Sequence, residues 1–226
     1  MPLIVLEGLD GAGKSTQTDM LEKLLSGRGK TCRRIHFPRF DAPVYGPLIA
    51  RFLRGELGSL DSVDPYIAAL LFAGDRAETA DSFRKSLHEG EFLLADRYVD
   101  SNIAYQCAKL HDPAARNNLK NWIYDLEYSH NKIPRPDITL FLDVPFEFTV
   151  SSLSKKRIGH DREYLNGADD IHESSLELQR NVRNTYLQLA EHDRSLKIID
   201  CSDASGRMAT PDTIFNKIML AVSHLI

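Results

Sequence analysis

The eight residues Gly8-Leu9-Asp10-Gly11-Ala12-Gly13-Lys14-Ser15 match the full pattern G-x-x-x-x-G-K-[ST], and few folds can host such a turn. Backbone N–H groups must converge on phosphate oxygens, which needs glycine in the turn and a helix N-terminus directly behind it. The flanks supply both. The apolar run Leu3 to Leu6 reads as a strand leading in, and Met20, Leu21, Leu24 and Leu25 form the apolar stripe of a following helix. A nucleoside triphosphate is therefore expected here, cradled by Gly8, Gly11, Ala12, Gly13 and Thr16, with Lys14 as a point charge on the terminal phosphates. Ser15 can offer its hydroxyl to Mg2+, a cation that prefers oxygen ligands.

The rest of the chain agrees with that turn. Short apolar runs at Leu3 to Leu6, Thr31 to His36, Phe92 to Ala95, Ile138 to Leu142 and Lys197 to Ile199 alternate with segments of helical period. Alternation of this kind predicts an α/β fold, a P-loop NTPase-type sandwich whose five-stranded parallel sheet is flanked by helices. Asp64-Pro65, Asp112-Pro113 and Thr210-Pro211 each place a capping side chain before a proline suited to the first helical position. Ser174 to Ala190 carries Leu178, Val182, Tyr186 and Leu189 on one face and reads as a long amphipathic helix. No repeat or linker composition interrupts the 226 residues, so a single domain over 1–226 is expected.

Charge and cysteine usage exclude several classes of partner. Lys and Arg number 28 against 32 Asp and Glu, and a net charge of -4 removes the default electrostatic case for nucleic acid. The longest nearly apolar stretch, Tyr66 to Ala73, falls far short of the roughly 18 residues that span a bilayer. Neither a membrane nor an export signal is expected. Cys32, Cys107 and Cys201 are odd in number and lack Cys-x-x-Cys spacing, which argues against disulfides or zinc and for a reducing cytoplasm. The eight histidines show no metal-ligand spacing and are expected at the surface.

A metal beside the glycine turn needs a carboxylate at the end of a neighbouring strand, and Asp96 and Asp143 both qualify. Asp96 is favoured by its company: Arg97 follows it, and Ser101 and Tyr105 come four and eight residues after Arg97, on one side of a helix continuing from there. Asn131-Lys132 is followed by Ile133-Pro134, so the guanine reader of a GTP switch is missing. No second carboxylate follows Asp96 to orient water for a motor. Arg39, Arg76, Arg97, Arg157 and Arg162 instead suit an anionic acceptor. An acceptor phosphate, with a second pKa near 6, is already a nucleophile and needs no general base.

Glu7 to Thr16, Phe37-Pro38-Arg39, Leu71-Phe72-Ala73-Gly74-Asp75-Arg76 and Asp96-Arg97-Tyr98 with Ser101 and Tyr105-Gln106, in this order, resemble the thymidylate kinase family of nucleoside monophosphate kinases. The resemblance spans nearly the whole chain. It implies transfer of the γ-phosphoryl group of ATP to dTMP, with Mg2+, in a homodimer. It also implies Arg39 and Arg97 on the acceptor phosphate, Phe72 stacked on the pyrimidine and Arg76 reaching thymine O4. Asp10 would take the deoxyribose 3′-hydroxyl, Tyr105 would crowd the 2′ position, Gln106 would add a base-side contact and Ser101 would line the same pocket. Lys155 to Arg162 resembles a mobile lid, about 154–166, inserted in the domain. Some members of that family carry an arginine inside the phosphate loop and others catalytic arginines in the lid; Gly11 and Ala12 put this chain with the second group, which implies a lid arginine stabilising the transferring phosphoryl group. Arg157 is preferred for that role, with Arg162 as the alternative.

Overall fold

The computed structural model describes residues 1–154 and 160–226, with the backbone alone at 154 and 160–162. Each of the five apolar runs is a strand: β1 (Leu3–Gly8), β2 (Cys32–His36), β3 (Phe92–Asp96), β4 (Ile138–Asp143) and β5 (Leu196–Asp200). All pairings are parallel, in the order β2-β3-β1-β4-β5. Most strands run one or two residues further at their carboxyl ends than the apolar runs suggest, because the ladder carries Glu7, Gly8, Asp96 and Asp143 along with it.

Alternation along β1 divides the interior into two layers. Leu3 and Val5 face a core shared with α5 (Val99–Cys107) and α8 (Leu176–His192), through Val99, Ile103, Leu178, Val182 and Tyr186. Ile4 and Leu6 face α1 (Lys14–Gly27) and α9 (Pro211–Val222), through Leu21, Leu25, Ile214 and Ile218. Each such side chain, fully buried, contributes about 1.5–3 kcal/mol. Strand β1 is thereby clamped on both faces and held in the middle of the sheet.

The expected helix starts are present. Asp64 accepts the Tyr66 N–H ahead of α3 (Pro65–Ala77), Asp112 accepts those of Ala114 and Ala115 ahead of α6 (Pro113–Tyr124), and Thr210 accepts that of Thr213 at α9. Ser175 does the same for α8, which therefore begins two residues after Ser174 and runs on to His192. Such caps are worth about 1 kcal/mol each. Also among the described residues are the α-helices α2 (Tyr45–Leu53), α4 (Ala80–His88) and α7 (Phe146–Ser154). At Gly74, an added Cβ would lie 2.1 Å from the Tyr45 ring, so glycine is what lets α2 and α3 pack this closely.

Register brings the ligand end together. Leu6 pairs with Asp96 across β1 and β3, and His36 pairs with Asp96 across β2 and β3. The glycine turn, Asp96 and His36 thus share the carboxyl edge of the sheet, where open α/β folds bind ligands. Among the described residues no helix is long and apolar enough to cross a membrane.

Candidate active site

The turn after β1 closes on α1 through Gly13, whose φ of 85° is left-handed backbone that glycine adopts without strain. Lys14 follows and donates from Nζ to the carbonyls of Gly8 and Leu9, both at 3.1 Å. Burial first, and then the Arg97 charge, push its ammonium down to about 8 against the pull of Asp96 and Asp10. Ser15 Oγ donates to Asp96 Oδ2 at 3.1 Å, and His36 Nδ1 stands 3.5 Å from the same oxygen. Burial favours the neutral acid at Asp96. The His36 hydrogen bond and the charges of Lys14 and Arg97 outweigh it and hold the carboxyl well below the usual range. Asp96 Oδ1 is buried and has no hydrogen-bond partner among the described residues. The other strand-end carboxylate, Asp143, is gripped by Arg183 at 2.6 and 2.8 Å.

Arg97 departs from the helical position expected of it. Its φ is 68°, and α5 begins two residues later at Val99. The left-handed backbone costs on the order of 1–3 kcal/mol. It is held by the Arg97 N–H on the Leu6 carbonyl at 2.9 Å and by the side chain. The guanidinium donates to Asp10 Oδ1 at 2.7 Å, Ser101 Oγ at 3.2 Å and Tyr105 Oη at 3.4 Å. Tyr105 in turn donates to Asp10 Oδ2 at 2.8 Å. Asp10, Arg97, Ser101 and Tyr105 therefore form one network, joining the glycine turn to α5.

Glu7 underpins that network. It is fully buried and accepts from the Tyr98 N–H at 2.8 Å, the Ser101 N–H at 3.1 Å, Ser101 Oγ and Tyr186 Oη. Four donors fill the four lone-pair sites of a carboxylate. Glu7 has no capacity left to act as a base.

A cavity of about 410 Å3 runs from Ser15 and Asp96 past Asp10, Arg97, Ser101 and Tyr105 to Phe72, Arg76 and Gln106. Half of the site residues singled out from the sequence thus meet around one space. Phe72 both lines this cavity and packs edge-on to Phe52, 6.1 Å between centroids. Arg39 is not brought in. Its guanidinium lies on Asp75 and Glu78 at 2.9 Å each, outside the lining residues. Arg157 and the Arg162 side chain lie outside the described residues.

Sequence reasoning missed one wall of this cavity. His172 does not fit the expectation that the histidines are at the surface: it is 6% exposed, its ring lies 5.0 Å from that of Tyr105 and 5.5 Å from that of Phe52, and Nε2 has no hydrogen-bond partner among the described residues. Burial, then the charges of Lys109 and Arg97, hold the imidazole neutral, well below its ordinary pKa. Asp170 accepts from Tyr164 Oη and the His172 N–H, both at 2.7 Å. Burial and then the Asp10 charge push its carboxyl up to about 7. Asn102 also lines the cavity, beside Ser101 on α5. The only local signal for Asp170 and His172 was the polar run Asp169-Asp170-Ile171-His172-Glu173, which looks like solvated loop.

Among the described residues no cluster of three His, Cys, Asp or Glu side chains could hold a metal ion. The oxygen pair Ser15 and Asp96 is the kind of partial site that Mg2+ completes with phosphate oxygens and water.

The family model for thymidylate kinase matches residues 6–208. The chain belongs to the thymidylate kinase family. It is a phosphotransferase that phosphorylates dTMP to dTDP at the expense of ATP. Among its relatives, the probable thymidylate kinase of Thermococcus kodakarensis is 34% identical over 99% of this chain and 98% of its own. The thymidylate kinase of Mycobacterium tuberculosis is 34% identical over 83% of this chain and 85% of its own. The solved thymidylate kinase of Candida albicans superposes with a TM-score of 0.73 at 28% identity, covering 99% of this chain and 91% of that one.

Proposed function

We propose that dTMP occupies the cavity with its phosphate on Arg97 and its base at Phe72 and Arg76, while ATP lies along the glycine turn with its γ-phosphate at Lys14. The supporting observation is continuity: the donor-side residues Ser15 and Asp96 and the base-side residues Phe72 and Arg76 line a single space. Asp10 takes the deoxyribose 3′-hydroxyl, and Tyr105, bonded to Asp10, crowds the 2′ position. Ser15 and Asp96 fit Mg2+, since Asp96 keeps a buried oxygen without a partner among the described residues, beside the Ser15 hydroxyl. When bound, the cation supplies charge neutralisation between phosphate oxygens.

The acceptor phosphate attacks in line without a general base. Its difficulty is repulsion, about 4 kcal/mol per pair of unit charges 4 Å apart at an effective dielectric of 20. Lys14 and Arg97 offset this on either side of the transferring group, and the lid arginine, Arg157 or Arg162, is assigned to the phosphoryl group itself. Arg39 joins them only by giving up Glu78, the more exposed of its two partners. A nucleoside acceptor would need a carboxylate base, for which Glu7 or Asp96 are the candidates: the lone pairs of Glu7 are filled by four donors, and Asp96 is assigned to Mg2+.

Thymine is selected at its 4 position: Arg76 donates to O4, whereas cytosine would oppose it with an amino donor and leave both unpaired. With Mg-ATP and a panel of dTMP, dUMP, dCMP, AMP, GMP and thymidine, diphosphate product should form fastest from dTMP and far more slowly from dUMP, with thymidine inert. Turnover of thymidine but not of dTMP would overturn the reading. Three free cysteines, two of them buried, support work in a reducing cytoplasm. Ile67 and Leu70, 57% and 47% exposed on the outer face of α3, support a homodimer paired there.

A further inference from the structure

Helix α6 presents Leu119 and Ile123 to the core, both fully buried, and the same face continues after four more residues at Glu127. By then the helix has widened into a π-helical segment, Asp125–His130, in which the Asn131 N–H reaches back five residues to the Leu126 carbonyl at 2.8 Å. Such segments are frequent at functional sites. Glu127 is 0% exposed, at a position where Leu or Ile would extend the stripe.

The carboxylate makes a forked pair with Arg76: Nε donates to Oε2 at 2.7 Å and Nη2 to Oε1. Arg76 itself is 2% exposed. A third donor, Asn102 Nδ2, reaches Oε1 at 3.0 Å and also the Ala69 carbonyl at 3.0 Å. Buried ion pairs seldom add net stability over well-packed apolar side chains, because desolvation cancels the attraction. Fixed geometry is a different matter. A fork grips the guanidinium in one plane and directs Nη1, which has no protein partner among the described residues, away from Glu127. Two acceptors on Asn102 Nδ2 leave only one amide orientation, with Oδ1 unpaired. Both Arg76 and Asn102 line the cavity.

We propose that Glu127 is a positioning residue for base selection: by gripping Arg76 through Nε and Nη2 it fixes the plane of the guanidinium and aims Nη1 as a donor to thymine O4. This rests on the assignment of the base to Arg76 given above. Cytosine carries a donor at position 4, so it meets the fixed Arg76 donor with the wrong group. In Glu127→Gln one oxygen becomes an amide donor. Arg76 loses half of its fork, and the fixed direction of Nη1 is lost with it.

The test is steady-state kinetics of Glu127→Gln and Glu127→Asp with dTMP and dCMP. For Glu127→Gln, the dTMP KM should rise tenfold or more, kcat should stay within about threefold, and the dTMP-over-dCMP ratio of kcat/KM should fall at least tenfold. Glu127→Asp, which keeps the charge, should recover part of that ratio, and the ATP KM should not move in either. An unchanged ratio in folded variants overturns the role of Glu127 while leaving the base assignment intact. Loss of the fold in both variants makes the pair a core element and overturns it equally. A parent enzyme with no preference for dTMP over dCMP would overturn the base assignment, and this role with it.

Discussion

The Lys14 ammonium sits between the Gly8 and Leu9 carbonyls with a pKa of about 8, because burial and the Arg97 charge both disfavour its proton. Polyphosphate would replace those carbonyls with anionic oxygens and push the pKa back up. Binding of ATP at pH 8.5 should then take up roughly 0.7 proton, read by calorimetry in buffers of different ionisation heat. Zero uptake at that pH would mean that the free enzyme already holds this lysine charged. Lys14→Ala should reduce kcat by more than about 100-fold with an unchanged circular dichroism spectrum, and a variant keeping a tenth of the rate would remove Lys14 from the transferring phosphate. Arg97 shows the converse economy. Its left-handed backbone is unfavourable alone, and it persists because Asp10, Ser101 and Tyr105 all claim the guanidinium.

One connecting segment, from Tyr164 to Glu173, decides how the acceptor end is closed. The Tyr164 ring stacks on Phe40 with centroids 3.8 Å apart, and the Ile171 N–H bonds the Leu53 carbonyl at 2.9 Å, so the segment is tied to α2 and the loop before it. Asp170 pins it from inside. In the unfolded chain this carboxyl ionises near 3.9, whereas the fold raises it to about 7. From pH 4 to 7 the folded state therefore keeps a proton that the unfolded state has lost, and stability that is complete below pH 4 is lost as pH rises through 7. Asparagine has the shape of the protonated acid. Asp170→Asn should accordingly raise Tm by several degrees at pH 8 and by almost nothing at pH 4, followed by thermal denaturation. His172 opposes this trend below its ordinary pKa, but equally in both proteins, so it cancels from the difference. An equal gain at both pH values would show that the carboxyl titrates normally.

At the scale of the whole molecule, α3 faces two ways. Phe72 and Arg76 turn to the cavity, while Ile67 and Leu70, on the opposite side of the helix, are left to solvent. Pairing of two copies through that outer face would brace the helix that carries the base contacts. Sedimentation should therefore show a dimer for the parent chain and a monomer for Leu70→Glu, with a raised dTMP KM in the monomer. A monomeric parent would remove the dimer from the account.

What the sequence determined alone was whatever is local along the chain. The glycine turn, Lys14 and Ser15 follow one another directly, β1 and its neighbours are runs buried on both faces, and Asp64, Asp112 and Thr210 cap helices within three residues of themselves. Even Phe72 and Arg76 could be read together, since a helix places i and i+4 on one face. Only the tertiary structure decided that Arg97 leaves the helical path, that Arg39 rests on Asp75 and Glu78, and that Glu127, Asn102, Asp170 and His172 stand around or behind the cavity. Taken singly in the chain these are ordinary polar residues in polar surroundings. Their partners lie 25 to 87 residues away in some cases, as Glu127 does from Asn102 and Arg97 does from Asp10. Burial sets their charge and direction, and burial exists only once sheet register and helix packing have closed the space around them.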